Sequence, residues 1–383
     1  MLSRKSHLSS LSGLLAEFPI VALVGARQVG KTTLARELAA AYPGESHFFD
    51  LEDARVDARL ASPMLALEPL TGLVILDEVQ IRPELFPALR VLADRPEVPA
   101  RILILGSASP ELMQRSAESL AGRIAFHELP GLDLGEAGAD NRDSLWLRGG
   151  FPRSYLAASD AASQRWRQEF IRTYLERDIP ALGLRLAPAT LRRFWSMLAH
   201  YHGQTWNGSE LARAFGVTER TVRHYLDILA GTFMVRILQP WAENLSKRQV
   251  KAPKVYLADS GILHSLLDIA DAAALHGHPK VGASWEGYAL TQVARWLNVN
   301  MGVEWRNCYY WKLHTGAELD LFVQTGGRRL GFEFKLSDAP RLTPSMRSAM
   351  ENLGLDKLHV VHAGSDAFPL EDRIEAVPLG RFV

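Results

Sequence analysis

The chain has 383 residues, of which 47% are hydrophobic and 22% charged, and its 43 basic residues balance its 43 acidic residues. This composition excludes a disordered chain and a strongly charged polyelectrolyte, and the length predicts two or three domains that each bury a core. The single cysteine, Cys308, excludes an internal disulfide and a cysteine-based zinc site. No apolar run approaches the ~20 residues that span a bilayer. We expect no signal peptide and no membrane partner, so the predicted location is the cytoplasm.

Residues 25–32 read GARQVGKT and match the phosphate-binding pattern GxxxxGK[ST]. The apolar run 20–24 before them predicts a strand, and residues 33–41 predict a helix. In this context the glycines let backbone N–H groups cradle phosphate oxygens at a helix N-terminus. We expect Lys31 to reach the β- and γ-phosphates of ATP and the Thr32 hydroxyl to bind Mg²⁺. The predicted nucleotide-binding residues are Gly25, Ala26, Arg27, Gln28, Val29, Gly30, Lys31, Thr32 and Thr33.

Two further apolar runs end in polar residues that suit ATP hydrolysis. Residues 73–78 read LVILDE, in which Asp77 suits the Mg²⁺ shell and Glu78 suits a base that orients the attacking water. Alternatively, the two acids start a loop or cap the next helix. The run 101–105 is followed by Gly106 and Ser107, and Ser107 could sense the γ-phosphate, although Gly-Ser pairs are also common in turns. In this order the three segments predict a P-loop ATPase.

The first third of the chain alternates predicted strands and helices. The predicted strands are 20–24, 47–50, 73–77, 101–105 and 124–129. Such alternation is typical of an α/β fold with a parallel sheet, which binds its ligand at the carboxyl ends of the strands. Turn signals at 130–131 and 148–152 mark the end of this part, and a long amphipathic helix is predicted from residue 163 to residue 182.

Residues 208–240 resemble a helix-turn-helix with a following strand. Ser209 is predicted to cap a helix at 210–215, residues 216–217 form a turn, and Thr218 caps a second helix to about residue 230. Val222, Leu226 and Leu229 are spaced to face inward on that helix. The stretch 233–238 is predicted as a wing strand.

The outward positions of the second helix are candidates for DNA contact. These residues are Arg220, Thr221, Arg223 and His224. Residues 131–250 carry 16 basic and 12 acidic side chains, and 15 of the basic ones are Arg, which favours forked contacts to phosphate. A protein-binding module or an ATPase lid is the alternative. Residues 247–254 hold four basic residues and are interpreted as either a phosphate-tracking strip or a solvated linker.

The C-terminal third contains a second chemical pattern. The predicted strand 317–323 places Glu318 and Asp320 on one face, and the predicted strand 330–336 does the same for Glu333 and Lys335. Asp320 followed by Glu333-x-Lys335 is the D…(D/E)xK arrangement of restriction-type nucleases. The two carboxylates could hold Mg²⁺, Glu286 in a helical stretch could add a third, and Lys335 could position the attacking water. A surface Glu–Lys pair on an exposed strand edge and a non-cleaving nuclease-like fold are the alternatives.

These segments together resemble a widespread prokaryotic family of AAA-type ATPases with a C-terminal domain of unknown function, number 4143. The marks of the family lie at 25–32, 76–80, 105–109, 120–123, 149–152, 254–261, 318–320 and 333–335. The resemblance implies an α/β P-loop ATPase core at 1–135, a helical lid and winged helix at 136–250, and a restriction-endonuclease-like α/β domain at 251–383.

The family likeness also singles out Arg123. An Arg just before the last core strand suits a charge-stabilising finger, acting in its own chain or on the nucleotide of a neighbouring subunit in a homo-oligomer. An ordinary surface Arg is the alternative.

Three functions follow as hypotheses. The leading one is an ATPase that binds, remodels or translocates DNA. The second is a nuclease that the ATPase gates through Asp320, Glu333 and Lys335. The third is a slow nucleotide-timed switch that docks protein partners, and the neutral total charge supports it.

Overall fold

The computed structural model describes residues 2–96, 99–107, 120–181, 186–243 and 249–383. Three sequence-based predictions fall partly outside these ranges: the family mark at Ala108-Ser109, the basic residues Lys247 and Arg248, and the helix end at Leu182. The chain divides into two compact units. The first unit contains residues 1–131, 173–186 and 227–234, and the second contains residues 132–172, 187–226 and 235–383. The predicted middle domain at 136–250 therefore contributes to both units.

The described residues of the first unit form a parallel five-stranded sheet. Its strands are β1 Ile20–Val24, β2 Ser46–Asp50, β3 Gly72–Asp77, β4 Ala100–Gly106 and β5 Ile124–Glu128. The order is β2-β3-β4-β1-β5, and each neighbouring pair is parallel. The five predicted strands and the α/β fold are confirmed, and the carboxyl ends of the strands share one edge.

Helices cover this sheet and bury its apolar side chains. They are Lys5–Glu17, Lys31–Ala41, Ala54–Arg59, Pro63–Leu67 and Phe86–Ala93, with 3₁₀ turns at Val79–Ile81 and Pro83–Leu85. Leu76 of β3, Leu89 and Ile104 of β4 pack in one core cluster, and each is almost fully buried. Burial of such a side chain contributes about 1.5–3 kcal/mol, so the core holds the strand ends in fixed positions.

The second unit contains more helices than the first, and two further helices have residues in both units. The described helices that lie wholly within it are Leu134–Ala137, Arg142–Arg148, Pro152–Tyr155, Pro188–His200, Gly208–Phe215, Ser260–Leu266, Ala272–Gly277, Val281–Met301 and Pro344–Leu353. The two shared helices are Asp160–Thr173 and Glu219–Gly231. The first continues as a π-turn at Tyr174–Asp178 and a short helix at Ile179–Ala181, so the long helix predicted at 163–182 begins three residues earlier.

The predicted helix-turn-helix segment forms two capped helices. The predicted cap Ser209 is wrong, because Asn207 caps the first helix by accepting a hydrogen bond from Glu210 N at 3.2 Å. Ser209 instead donates its hydroxyl to Asn207 Oδ1 at 2.9 Å. Gly216 ends the helix with a left-handed φ of 67°. Thr218 accepts a hydrogen bond from Thr221 N at 3.2 Å, as its predicted capping role requires.

A mixed sheet crosses the described part of the second unit. Its strands are β6 Gln204–Thr205, β7 Val235–Pro240, β8 Lys254–Leu257, β9 Cys308–Lys312, β10 Glu318–Thr325, β11 Arg328–Lys335, β12 Lys357–His362, β13 Phe368–Glu371 and β14 Ile374–Pro378. Their order is β13-β14-β12-β11-β10-β9-β7-β8-β6. The strands predicted at 317–323 and 330–336 are confirmed as β10 and β11, which pair antiparallel. The strand predicted at 233–238 is β7, two residues later in the chain.

Two family marks that are distant in sequence meet in this unit. Asp259 accepts hydrogen bonds from Gly150 N at 2.7 Å and, as a helix cap, from Ile262 N at 2.9 Å. A Cβ atom at residue 149 would lie 2.2 Å from Asp259 Oδ1, and Gly149 has a φ of 77°. The glycines of the 149–152 segment therefore make room for the carboxylate of the 254–261 segment.

Cys308 is buried on β9, where burial raises the pKa of its thiol to about 12. A buried thiol with a raised pKa is protonated at neutral pH and therefore a poor nucleophile. In the part of the chain that the structure describes, no helix combines the length and the apolar character that a membrane crossing requires.

Candidate functional site

The loop between β1 and the helix Lys31–Ala41 has the backbone of an anion-binding nest. Gly25, Gln28 and Gly30 have φ values of 153°, 64° and 105°. A Cβ atom at residue 25 would lie 2.4 Å from Leu129 O, so only glycine fits there. Successive turns of this kind direct backbone N–H groups inward, and the helix that follows adds its positive N-terminal end. The predicted phosphate-binding loop is therefore built at the carboxyl end of β1, between β4 and β5 in the sheet.

Lys31 lies inside this loop and is almost fully buried. Its Nζ donates to Gly25 O at 2.9 Å, to Ala26 O at 3.0 Å and to the hydroxyl of Ser107 at 3.2 Å. Burial lowers its pKa to about 8, although the carboxylates of Glu78 and Asp77 oppose this shift. The ammonium therefore stays protonated at neutral pH while partly stripped of water, which strengthens its attraction to a phosphate group.

Asp77 ends β3 beside the first residues of the loop helix. Thr32 Oγ1 donates a hydrogen bond to Asp77 Oδ2 at 2.8 Å. Burial raises the pKa of Asp77, and the hydrogen bond from Thr32 partly offsets that rise. A hydroxyl and a carboxylate oxygen are ligands that Mg²⁺ accepts, so the two predicted Mg²⁺ ligands of the ATP site do lie together.

Glu78 follows with a left-handed φ of 58°, an uncommon conformation for a non-glycine residue. Its carboxylate accepts a hydrogen bond from Ser107 Oγ at 3.2 Å and another from Gln80 Nε2. The two contacts fix the carboxylate next to the loop, where the sequence predicts a base. Sequence reasoning missed the contact of Gln80, although this residue stands within the family mark 76–80.

The other predicted loop residues differ in their burial and in their contacts. Ala26 and Val29 are buried, and Thr33 is exposed on the helix. The guanidinium of Arg27 binds the carboxylates of Asp178 and, at 3.3 Å, Glu52. This side chain therefore anchors the loop to residues far along the chain, a role that the motif alone does not indicate.

Arg123 does not lie beside the loop of its own chain. It precedes β5, and its carbonyl accepts a hydrogen bond from Ile20 N at the start of β1, whereas the loop follows the other end of β1 at Val24. Its guanidinium is instead paired with Asp94, with Nη2 2.9 Å from Oδ2. The predicted finger role in its own chain therefore has no support in this geometry, and a role on a neighbouring subunit stays a prediction.

The helix Glu219–Gly231 presents the side chains predicted to contact DNA. Arg220, Arg223 and His224 are exposed, and Thr221 is half-buried. The residues predicted to face inward, which are Val222, Leu226 and Leu229, are fully buried. The predicted inward and outward faces are confirmed, while contact with DNA stays a prediction.

In the second unit, Asp320 on β10 and Glu333 on β11 are both buried, and burial raises the pKa of each carboxyl. Asp320 Oδ2 accepts a hydrogen bond from Phe334 N at 3.0 Å, and Lys335 Nζ lies 2.8 Å from Glu333 Oε1. Because β11 lies between β10 and β12, a surface pair on an exposed strand edge is wrong. Glu286 lies nearby, half-buried on the helix Val281–Met301.

Lys254, which the sequence placed in a basic strip or solvated linker, is only 2% exposed. Its Nζ lies 3.1 Å from Glu286 Oε1 and 3.4 Å from Asp320 Oδ1, and it also pairs with Glu318. The sequence interpretation is therefore wrong for this residue. Its position at the start of the family mark 254–261 was the available signal.

Comparison with protein families matches three models to the chain. An "AAA domain" matches residues 17–138, a "Domain of unknown function (DUF8612)" matches 139–273, and a "Domain of unknown function (DUF4143)" matches 281–382. The "Uncharacterized protein Rv2008c" of Mycobacterium tuberculosis is 48% identical over 378 residues, which cover 99% of this chain and 84% of that protein. The "Uncharacterized protein Mb2031c" of Mycobacterium bovis matches with the same identity and coverage. The chain belongs to the family of AAA-type ATPases with a C-terminal DUF4143 domain.

Solved structures similar to this ATPase include the Walker-type ATPase PABY2304 of Pyrococcus abyssi. That similarity covers 70% of this chain and 96% of the other, with 16% identity and a TM-score of 0.47. The DNA clamp loader delta protein YqeN of Bacillus subtilis is similar over 58% of this chain and 87% of its own, with 14% identity and a TM-score of 0.29.

The AAA domain of this ATPase contains all the loop residues described above, together with Asp77, Glu78 and Ser107. The protein therefore has the nucleotide-hydrolysing function of a P-loop ATPase, and its parallel sheet places these side chains at one edge.

Proposed function

We propose that this ATPase hydrolyses ATP with Mg²⁺ and uses the cycle to bind, remodel or translocate DNA. The observation that carries the proposal is the exposed face of the helix Glu219–Gly231, where Arg220, Arg223 and His224 stand together above a buried apolar face. This is the arrangement by which a recognition helix meets DNA.

The chemistry of the nucleotide site supports the first half of the proposal. Lys31 and the loop amides bind and orient the phosphates, while Glu78 orients the attacking water and accepts its proton. Ser107 lies between Lys31 and Glu78, within hydrogen-bonding distance of both, so it can report on the γ-phosphate. Thr32 and Asp77 would hold Mg²⁺, which supplies charge neutralisation at the phosphates.

The order of helices and strands supports the second part of the proposal, the action on DNA. The two helices Gly208–Phe215 and Glu219–Gly231 are joined by a tight turn and are followed by β7 and β8, which pair antiparallel. This order agrees with the winged helix that the family likeness implies. Arg side chains suit forked contacts to phosphate, and the surrounding segment carries an excess of Arg.

DNA binding by the full chain tests this proposal. Fluorescence anisotropy with labelled single-stranded, duplex, forked and four-way-junction DNA over a salt series gives affinity and salt dependence. The double variant Arg220→Ala/Arg223→Ala is expected to bind at least ~10-fold more weakly, with a salt slope reduced by about 2, since each lost phosphate contact removes roughly 0.9.

The matched control is Arg165→Ala/Arg172→Ala, which removes the same charge from exposed positions of the helix Asp160–Thr173. This control is expected to bind DNA like the wild type. Equal losses of DNA affinity in both double variants would mean that any loss of positive charge weakens binding, wherever it lies. Failure of the wild type to bind any of the DNA structures would contradict the proposal.

A nucleotide-timed switch with protein partners is the second candidate. Its supporting observation is the balance of 43 basic and 43 acidic residues, because proteins devoted to DNA often carry a basic excess. In that case the same exposed helix face docks a protein, and the Arg220→Ala/Arg223→Ala variant loses a protein partner without any change in DNA binding.

A further inference from the structure

The carboxylate cluster of the second unit already holds a cation that belongs to the chain itself. Lys254 projects from β8 with a side chain that is 3% exposed, and its ammonium contacts the carboxylates of Glu286, Glu318 and Asp320. An ammonium has three N–H donors, so these three acceptors use its full donor capacity. The cluster thus contains a positive charge of its own, which offsets part of the charge of the three carboxylates.

The surrounding contacts hold the carboxylates in place around Lys254. Tyr256, two residues further along β8, donates its hydroxyl to Glu286 Oε1 at 2.6 Å. Lys312 Nζ lies 2.6 Å from Glu318 Oε2. The second oxygen of Asp320 accepts the Phe334 backbone N–H. These contacts therefore order the cluster around the ammonium.

The residues predicted to bind a nuclease Mg²⁺ do not fit that ion in this arrangement. Mg²⁺ needs oxygens at about 2.0–2.1 Å in near-octahedral geometry, whereas Glu286 and Asp320 are directed at an ammonium at 3.1 and 3.4 Å. Glu333, the third predicted ligand, is paired with Lys335 instead. Within the described ranges, no three His, Cys, Asp or Glu side chains are grouped so that they could hold a metal ion.

We propose that Lys254 is the permanent cation of this cluster, taking the position of the divalent ion that a restriction-type nuclease would bind between Glu286 and Asp320. The C-terminal domain then performs no metal-dependent cleavage through Asp320 and Glu333. Removal of the Lys254 side chain leaves the negative charges of Glu286, Glu318 and Asp320 without this cation, and we expect the three carboxylates to shift together around a divalent cation. This inference goes beyond the proposed action on DNA and does not depend on it.

Mn²⁺ binding by the nucleotide-free full chain tests the inference. Electron paramagnetic resonance counts free Mn²⁺ in titrations of the wild type, Lys254→Ala and the near-isosteric, uncharged Lys254→Met. We expect at least ten-fold tighter Mn²⁺ binding by Lys254→Ala than by the wild type, and we expect Asp320→Asn in the same variant to remove the gain. Lys312→Ala is the matched control, because its ammonium contacts Glu318 Oε2, the oxygen that does not bind Lys254, and it is expected to match the wild type.

Two results would overturn the inference. One is Mn²⁺ binding by the wild type that Asp320→Asn removes. The other is a Lys254→Ala or Lys254→Met protein that circular dichroism shows to be folded but that gains no Mn²⁺ site. If neither Lys254 variant folds, the comparison of the wild type with Asp320→Asn decides: equal Mn²⁺ titrations support the inference, and a weaker titration of Asp320→Asn contradicts it.

Discussion

Thr32 Oγ1 donates a hydrogen bond to Asp77 Oδ2 across 2.8 Å, although the two residues are 45 positions apart in sequence. The contact joins the start of the loop helix to the end of β3, and it places a hydroxyl and a carboxylate where the phosphates of ATP would lie. The parallel sheet therefore brings together residues of the predicted nucleotide site that are distant in sequence.

Asp77→Asn tests the Mg²⁺ role of this pair. The amide keeps an acceptor for Thr32 but removes the charge, so we expect ATP hydrolysis to fall about 100-fold and half-maximal activity to need more Mg²⁺. Steady-state hydrolysis over a Mg²⁺ series measures both. Asp50→Asn is the control, because Asp50 ends the neighbouring strand β2 in register with Asp77 but is exposed. An unchanged Mg²⁺ dependence in Asp77→Asn would exclude this role.

Glu78→Gln tests the predicted base. Gln keeps the shape and can still bond to Ser107 and Gln80, but it cannot accept the proton of water. We expect hydrolysis to fall about 10²–10⁴-fold while ATP binding stays within a few-fold of the wild type. Glu84→Gln, at an exposed carboxylate paired with Arg82, is expected to hydrolyse ATP normally. A Glu78→Gln protein that turns over at the normal rate would identify a different base.

The pKa of Lys31 predicts a pH dependence of ATP binding. Burial lowers this pKa to about 8, so the free protein has a protonated Lys31 below pH 8 and a neutral one above it. Because phosphate favours the ammonium, binding above pH 8 must take up a proton, and log affinity is expected to fall by about one for each further pH unit. Calorimetric titrations with ATP between pH 7 and 9.5 measure this slope.

Lys31→Arg provides the control for that slope, since a guanidinium stays charged throughout this range. Its ATP affinity, whatever its absolute value, is expected to stay level between pH 8 and 9.5. A wild-type affinity that is equally level would show that the Lys31 ammonium is not deprotonated there.

The burial of His264 leads us to expect that the folded protein loses stability in acid. Its Nδ1 lies 2.9 Å from Leu147 O and its Nε2 lies 2.7 Å from Ser284 Oγ, and burial lowers its pKa to about 4. The hydrogen bond to Leu147 O opposes this lowering of the pKa, and the nearby guanidinium of Arg167 contributes to it. Below pH 6.5 the unfolded chain therefore binds more protons than the folded one, and the free energy of unfolding falls as pH falls toward 4.

We expect protonation of His264 in the unfolded chain to lower the free energy of unfolding by about 2 kcal/mol between pH 7 and pH 5. Urea unfolding at the two pH values measures the difference. His264→Gln should lower stability at pH 7 but lose about 2 kcal/mol less than the wild type on acidification, whereas His200→Gln, at an exposed position, should lose as much as the wild type. An acid loss that is the same in His264→Gln would contradict the assignment.

Much of the first unit could be predicted because its signals are local. Strands β1, β3 and β4 are short apolar runs, and the loop motif needs backbone conformations that Gly25 and Gly30 permit. The inward face of the helix Glu219–Gly231 follows in the same way from the 3.6-residue period. Each of these patterns lies within about a dozen residues, so a single sequence is enough to predict the structure that it forms.

The parts that could not be predicted depend on contacts between distant residues. Arg27 and Asp178 are 151 positions apart, and Lys254 and Asp320 are 66 apart. Lys254 stands in a basic run, which by composition indicates solvent exposure, yet three carboxylates from other elements offset the cost of its burial. The cap of the helix Gly208–Phe215 shows the same limit on a smaller scale. Asn and Ser both cap helices well, and the residue at which the helical backbone begins determines that Asn207 rather than Ser209 is the cap.

The central claim is that ATP hydrolysis serves an action on DNA, and DNA stimulation of the steady-state hydrolysis rate tests it most directly. The rate is measured without DNA and with single-stranded, duplex, forked and four-way-junction DNA, and Lys31→Ala defines the background. We expect at least one DNA structure to raise the wild-type rate several-fold, and we expect Arg220→Ala/Arg223→Ala to keep the basal rate but lose the rise. A slow wild-type rate that no DNA structure changes would contradict the claim and favour the switch with protein partners.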